Sequence, residues 1–129
     1  MSQNINSYKQ LRFWQTAKEV SKLIIQLTRN LPNERIVWII TDQVLRSSFS
    51  IGACIAEGYG KYRGKEYPRF IQMALGSARE TEYWLDLLEE TYSNFSKEIK
   101  QILLLNEETI KMLIATLNTL RSKDKKIRI

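Results

Sequence analysis

Apolar residues recur at alternating intervals of four and three along three long stretches of the chain, a period that only an α-helix presents on one face. The first stripe is Phe13, Ala17, Val20, Ile24, Leu27 and Leu31. The next is Tyr67, Ile71, Ala74, Ala78, Thr81, Leu85, Leu88 and Tyr92, and the last is Ile99, Ile102/Leu103, Glu107, Ile110, Leu113/Ile114, Leu117 and Leu120. Between the first and second stripes lies a segment from about Glu34 to Glu57 that is apolar on two faces. Val37, Val44, Ile51 and Ile55 mark one, and Trp38, Leu45 and Phe49 mark the other. Only two prolines interrupt the chain. Pro32 stops the first helix, with Asn33 placed to cap the second, and Pro68 falls where the first turn of the third tolerates it. Residues 92 to 97 form the last turn, with Ser96 in position to cap helix four. Four helices joined by short connections imply an all-α, antiparallel up-down four-helix bundle over residues 11–121. Residues 1–10 read as a polar flexible leader and residues 122–129 as a basic flexible tail.

Small residues crowd the second helix: Ser47, Ser48, Ser50, Gly52, Ala53, Cys54 and Ala56. They allow a neighbouring backbone to come close, so this helix is expected at the centre of the packing. Gly76-Ser77-Ala78 in the third helix is expected to pack against that small-residue face. Gly58 and Gly60 are expected to end helix two, since glycine tolerates the left-handed conformation that closes a helix. A second apolar face must also be buried, which suggests either a very central helix or a subunit contact through Trp38 and Phe49. Arg46 lies one turn from Asp42 and can pair with it along the surface, or it can turn inward towards Glu57 or Glu80.

Charge and composition exclude several function classes. The 129 residues include one cysteine and no histidine, so no internal disulfide, zinc finger or imidazole chemistry is available. Cys54 sits among small and apolar neighbours, as an inert buried thiol does. Helix three holds Glu80, Glu82, Asp86, Glu89 and Glu90, but carboxylate-bridged metal sites in bundles also need Glu-x-x-His. Gly58-x-Gly60 follows a helix and not a strand, so no phosphate-cradling loop is implied. No metal, cofactor or catalytic residue is expected. No apolar run approaches the ~18 residues of a membrane span, and a cytoplasmic protein is expected.

The net charge of +6 is distributed unevenly. Lys61, Arg63 and Lys65 surround Tyr62 in a loop without an acid, and Lys123, Lys125, Lys126 and Arg128 load the C-terminus. Lys18 and Lys22 share a face of helix one. Each cluster reads either as a solvated surface or as a phosphate contact, with Tyr59 and Tyr62 able to stack on unpaired bases.

The segment from Gln43 also resembles the signature of a bacterial four-helix-bundle family encoded by intervening sequences inside large-subunit ribosomal RNA genes, whose relatives include the accessory variability proteins of diversity-generating retroelements. Gln43, Arg46, Ser47, Ser50, Ile51, Ile55, Ala56, Glu57, Gly58 and Gly60 match that signature, Lys61 keeps the charge of its arginine, and Cys54 stands where the family has asparagine. A second block supports it: Glu66, Arg69-Phe70, Ala74-Leu75-Gly76-Ser77, Glu80, Glu82 and Leu85. With the opening Phe13-Trp14-Gln15-Thr16-Ala17, the likeness runs from about Leu11 to Leu120. The resemblance implies a homo-oligomeric ring, a pentamer, in which Arg46, Gly52, Glu57, Gly58, Gly60, Trp38, Phe49, Gly76 and Glu80 are structural or subunit-contact residues. It further implies RNA or DNA as partner and a role beside a reverse transcriptase or an rRNA intervening sequence. The expected function is a non-enzymatic, sequence-tolerant nucleic-acid-binding accessory protein, the alternative being a protein-interaction scaffold. Lys61, Arg63, Lys65, Tyr62, Lys18, Lys22, Lys123, Lys125, Lys126 and Arg128 are the candidate binding residues.

Overall fold

The structure, a computed structural model, describes the backbone of residues 7–61 and 66–127 and the side chains of residues 7–59 and 66–123. Four helices, α1 (Arg12–Asn30), α2 (Arg35–Lys61), α3 (Tyr67–Thr91) and α4 (Ser96–Ile127), run alternately up and down. Short 3-10 turns precede α1 at Tyr8–Gln10 and α4 at Ser93–Phe95. Each helix packs on its two neighbours, α1 on α2 and α4, and α3 on α2 and α4, and the diagonal pairs do not meet. This is the four-helix bundle that the apolar periods imply.

The stripes of α1 and α3 are buried as their spacing requires, Ala17, Val20, Ile24, Ala74, Ala78, Leu85 and Leu88 completely so. Burying a Leu- or Ile-sized side chain is worth ~1.5–3 kcal/mol, so these stripes supply most of the drive to associate. The core is not continuous. Phe13, Ile51, Ile55, Ile71 and Leu113 belong to one cluster, and Ile24, Val44, Leu85, Leu88 and Ile99 to another. Six polar residues are buried: Ser47, Ser48, Thr81, Asn106 and Thr109 lie between the two clusters along their helices, and Thr16 lies just inside the first, between Phe13 and Ala17.

Their hydrogen bonds tie facing helices together. Thr16 and Thr109 meet hydroxyl to hydroxyl at 2.7 Å between α1 and α4. Ser47 and Thr81 do so at 2.9 Å between α2 and α3. All four hydroxyls also reach a carbonyl of their own helix, Thr16 that of Phe13, Thr109 that of Leu105, Ser47 that of Val44 and Thr81 that of Ser77, so in each pair one hydroxyl donates across to its partner and the other donates back along its helix. Asn106 donates from Nδ2 to the Ala78 carbonyl at 3.0 Å, joining α4 to α3, while its Oδ1 is buried without a partner.

Several expectations are corrected. Helix two does not end at its glycines: α2 continues through Gly58 and Gly60 to Lys61, and no described glycine has positive φ. Gly58 is required by packing, because a Cβ there would overlap the Cβ of Phe70 and lie 2.9 Å from its Cγ. Gly52 abuts the Trp14 indole, where an added Cβ would make an ordinary 3.5 Å contact. Ser77 does face α2, donating to Ser50 at 2.9 Å, and Ala78 is fully buried, but Gly76 looks into open space, with no other described helix within 4 Å of where a Cβ would stand. In α4 the stripe passes through Asn106 and not Glu107, which is exposed. The helix also continues beyond Arg121 to Ile127. Ser96 is the first residue of α4, and its hydroxyl donates to Glu89 at 2.6 Å. Asn33 Oδ1 accepts the Trp38 indole N–H at 2.7 Å.

Of the second apolar face of α2, Leu45 is partly buried against the core and the other two residues are left open. Trp38 is 59% exposed and Phe49 48%, and Ile36 and Ile39 are also exposed. Arg46 points out of the bundle, with its Nε 3.0 Å from Asp42 Oδ2, and it does not turn inward to Glu57 or Glu80. Glu57 is exposed, and Glu80 accepts the Trp84 indole N–H at 3.0 Å.

The two glycines separate cleanly in a stability measurement. Gly58→Ala should lower unfolding free energy by about 1–3 kcal/mol, because Phe70 Cβ is backbone-attached and cannot rotate aside. Gly76→Ala should be neutral or raise it by up to about 1 kcal/mol through helix propensity. Urea unfolding followed by circular dichroism distinguishes them.

Candidate nucleic-acid interface

The alternation of helices decides which basic segments share a place. Trp14 meets Gly52, Ser21 donates to the Ser48 carbonyl, and Thr16 meets Thr109, so α1 is antiparallel to both α2 and α4. Phe70 crosses Gly58, and Arg121 Nη2 donates to Gln72 Oε1 at 2.9 Å, so the start of α3 lies beside the ends of α2 and α4. One end of the bundle therefore collects the start of α1, the end of α2, the start of α3 and the end of α4.

Cations follow the helix ends to that location. Lys9, Arg12, Lys61, Arg69, Arg121 and Lys123 all belong to it by position in the chain. Of these, Arg69 is partly neutralised, with its guanidinium 3.4 Å from Glu66. Lys123 is exposed, and Lys125 and Lys126 lie on the helical continuation of α4. Lys61 is the last residue of α2, with its side chain outside the described residues. Tyr62, Arg63, Lys65 and Arg128 lie outside the described residues altogether, the first three on the connection between α2 and α3.

Lys18 and Lys22 are exposed on the flank of α1, about 9 and 15 Å along it from Arg12 at ~1.5 Å rise per residue. Lys18 Nζ stands 5.4 Å from the centroid of the Trp14 ring, and Lys22 approaches Glu19 at 3.9 Å. Exposed contacts of this kind are worth well under 1 kcal/mol and leave both ammoniums available. Tyr59 is engaged within the chain: its ring meets Tyr67 edge to face at a 6.0 Å centroid separation. Burial, reinforced by Tyr59, pushes the Tyr67 hydroxyl up to about 12.

The acidic counterpart is separate. Glu82, Glu89 and Glu90 lie in the later part of α3, where Glu82 meets Arg79 at 3.8 Å and Glu89 meets Lys100 at 3.9 Å. Sequence reasoning missed Lys9, Arg12, Arg69 and Arg121, because each stands at a helix terminus and joins a cluster only when alternate termini are superposed. Their signal was the up-down topology itself. Among the described residues no helix is long and apolar enough to cross a membrane.

Comparison with known proteins agrees with this architecture. The profile of the 23S rRNA-intervening sequence protein family matches residues 9–115. A solved structure, a protein of unknown function from the S23 ribosomal protein family of Bacteroides thetaiotaomicron, superposes with a TM-score of 0.74 at 31% identity, over 81% of this chain and 97% of that one. No curated protein matches the chain.

The Tyr67 shift gives a pH prediction. A hydroxyl whose folded-state pKa lies above its unfolded value stabilises the fold fully below pH 10, and that contribution is lost as pH rises from about 10 towards 12. The urea midpoint should fall across this window in wild type and fall less in Tyr67→Phe.

Proposed function

Because the chain belongs to the 23S rRNA-intervening sequence protein family, we propose that it is a non-enzymatic, oligomeric nucleic-acid-binding accessory protein that holds RNA or DNA through its phosphates with little regard to sequence. The observation that carries this reading is the convergence of cations from four separate helix termini on one end of the bundle. Lysine and arginine near phosphates release counterions, and this term dominates sequence-tolerant binding. Lys61, Arg63 and Lys65 extend the cluster along the chain between α2 and α3, Lys123, Lys125, Lys126 and Arg128 extend it beyond α4, and Lys18 and Lys22 continue it along α1. Tyr62 adds a ring for stacking. A ribosomal RNA intervening sequence or the nucleic acid handled by a reverse transcriptase is the physiological setting that this reading favours.

Self-association belongs to the same proposal. α2 carries four exposed bulky apolar residues, Ile36, Trp38, Ile39 and Phe49, more than any other described element, with Trp38 and Phe49 in line along its outer face. Apolar area of this kind on a soluble bundle marks a contact with another protein surface. A second copy of the chain is the occupant that the family resemblance favours, and a ring of copies, five in the form proposed, multiplies weak phosphate contacts through avidity. The alternative, a protein-interaction scaffold without nucleic-acid binding, draws on α3, where Tyr83 is 59% exposed beside Trp84 and an acidic surface.

Two measurements test these statements. In fluorescence anisotropy across a salt series, log affinity for a structured RNA and for single-stranded DNA should fall linearly with log salt. The slope should flatten by about 0.7–0.9 for each phosphate that Lys61→Glu/Arg63→Glu/Lys65→Glu no longer neutralises. Absence of binding by wild type at physiological salt would leave the scaffold as the better reading. In light scattering, Trp38→Glu/Phe49→Glu should reduce the assembly to monomers with the helical content retained; an unchanged mass would remove α2 from the subunit contact.

A further inference from the structure

An open-sided surface cavity of about 390 Å³ lies between the second half of α1 and the start of α4, at the end of the bundle opposite the basic cluster, with all its polar lining residues exposed. Its apolar walls come from Leu23, Leu27, Phe95 and Ile102. Its polar lining is unusual in being almost all carboxamide: Gln26, Asn30, Asn94 and Gln101, with Glu98 as the one ionised group. No cation lines it. Asn30 Nδ2 donates to the Gln26 carbonyl at 3.2 Å. The side chains of Asn94, Glu98 and Gln101 make no hydrogen bond to other described residues, so their donors and acceptors are open to a ligand.

The lining selects among ligand chemistries. A phosphate or carboxylate finds no counter-charge there and meets Glu98 instead. An aliphatic ligand would strip water from the amides without replacing their hydrogen bonds, a cost that the apolar walls must first overcome. A flat heterocycle with donors and acceptors along its edge satisfies both parts, because carboxamides pair two-point with base edges, a carboxylate accepts from ring or exocyclic N–H groups, and an aromatic ring stacks on the face. The volume falls in the range of small-molecule pockets and exceeds what one base needs. Outside the cavity, Lys22 and Arg29 stand about one helical turn before and after Gln26 on α1. Arg29 has no ion-pair partner among the described residues, and Lys22 has only a 3.9 Å approach to Glu19.

We propose that this α1/α4 cavity is a slot for one unpaired nucleobase, with Phe95 against its face, Glu98 and the carboxamides of Gln26, Asn94 and Gln101 on its edge, and the adjoining phosphates at Lys22 and Arg29. It deepens the nucleic-acid reading and rests on it. The slot adds to the stacking proposed for Tyr62 a preference for single-stranded or bulged nucleic acid over a uniform polyanion, which the cations of the basic cluster do not supply. Glu98 favours guanine, whose adjacent N1–H and N2–H groups give a carboxylate two donors, over bases that set one donor beside an acceptor.

The test compares a labelled ten-residue strand of mixed sequence with an abasic strand of equal length and charge, both measured by anisotropy at low salt. Wild type should hold the base-bearing strand about tenfold tighter, a ratio in the range of one stacked base. Glu98→Ala/Gln101→Ala should cut that ratio several-fold, to what stacking at Tyr62 supplies; the lost negative charge strengthens both strands alike, so the change in ratio isolates the slot. Phe95→Leu keeps an apolar wall and should reduce the ratio as well, and a thermal melt confirms that each variant folds. Guanosine alone should shift the side-chain amide resonances of Gln26, Asn94 and Gln101. A ratio of one in wild type, or a ratio that survives unchanged in both variants, overturns the slot while leaving phosphate binding in place. Failure of wild type to bind either strand overturns both readings together.

Discussion

The bundle depends on a band of hydrogen bonds at its middle. Thr16 with Thr109, Ser47 with Thr81, and Asn106 with the Ala78 carbonyl connect neighbouring helices where the two apolar clusters meet. Leucines and isoleucines accept many alternative registers at similar cost, since apolar contact is non-directional. A buried hydroxyl pair does not, because a slide by one turn removes the cross-helix bond, sets each hydroxyl against apolar side chains and leaves it only the carbonyl of its own helix. Each such bond adds only ~0.5–1.5 kcal/mol to stability, and its larger effect is to exclude the displaced arrangements. Register in turn decides that Gly58 lies under Phe70, that Arg121 reaches Gln72, and that basic helix ends converge.

Close approach between α2 and α3 is the second constraint, and it follows from side-chain size. Ser47, Ser50 and Gly58 face Thr81, Ser77 and Phe70 in turn along an antiparallel pair. This contact leaves the outward side of α2 to a different fate. Its core-facing residues Val37, Val44, Ile51 and Ile55 are buried, while Trp38 and Phe49 on the other side stay in solvent for a single copy. A chain that keeps bulky apolar residues there has a surface whose burial needs another molecule. The proposed self-association, the proposed phosphate contacts at one end and the proposed base slot at the other assign different tasks to different sides of one bundle.

Much of this was legible in the sequence. The three stripes with spacings of four and three placed the cores of α1 and α3 correctly, Pro32 and Pro68 marked real helix boundaries, and the segment from Gln43 to Lys61 carried the family likeness. Gly58 shows where reading residues alone failed. A glycine pair before a basic loop has the composition of a helix stop, yet α2 runs through it, because the absence of a side chain serves a crossing with Phe70 and not a reversal of the backbone. Gly76 failed in the opposite sense, since it has small neighbours that do pack and itself faces open space. Asn106 was overlooked because a polar residue on an apolar stripe looks like a break in the pattern until its partner on another helix is known.

By itself the sequence determined the helices, their number, their order and the faces that α1 and α3 bury, because those follow from period, proline placement and the short connections, all local along the chain. It also determined the net positive charge and the absence of imidazole chemistry. Tertiary structure alone decided which cations share an end, which glycine is indispensable, and that Gln26, Asn94, Glu98 and Gln101 border one cavity. These are relations between residues far apart in sequence, set by how antiparallel helices superpose, and a one-dimensional pattern does not encode the distance between positions that the fold brings together.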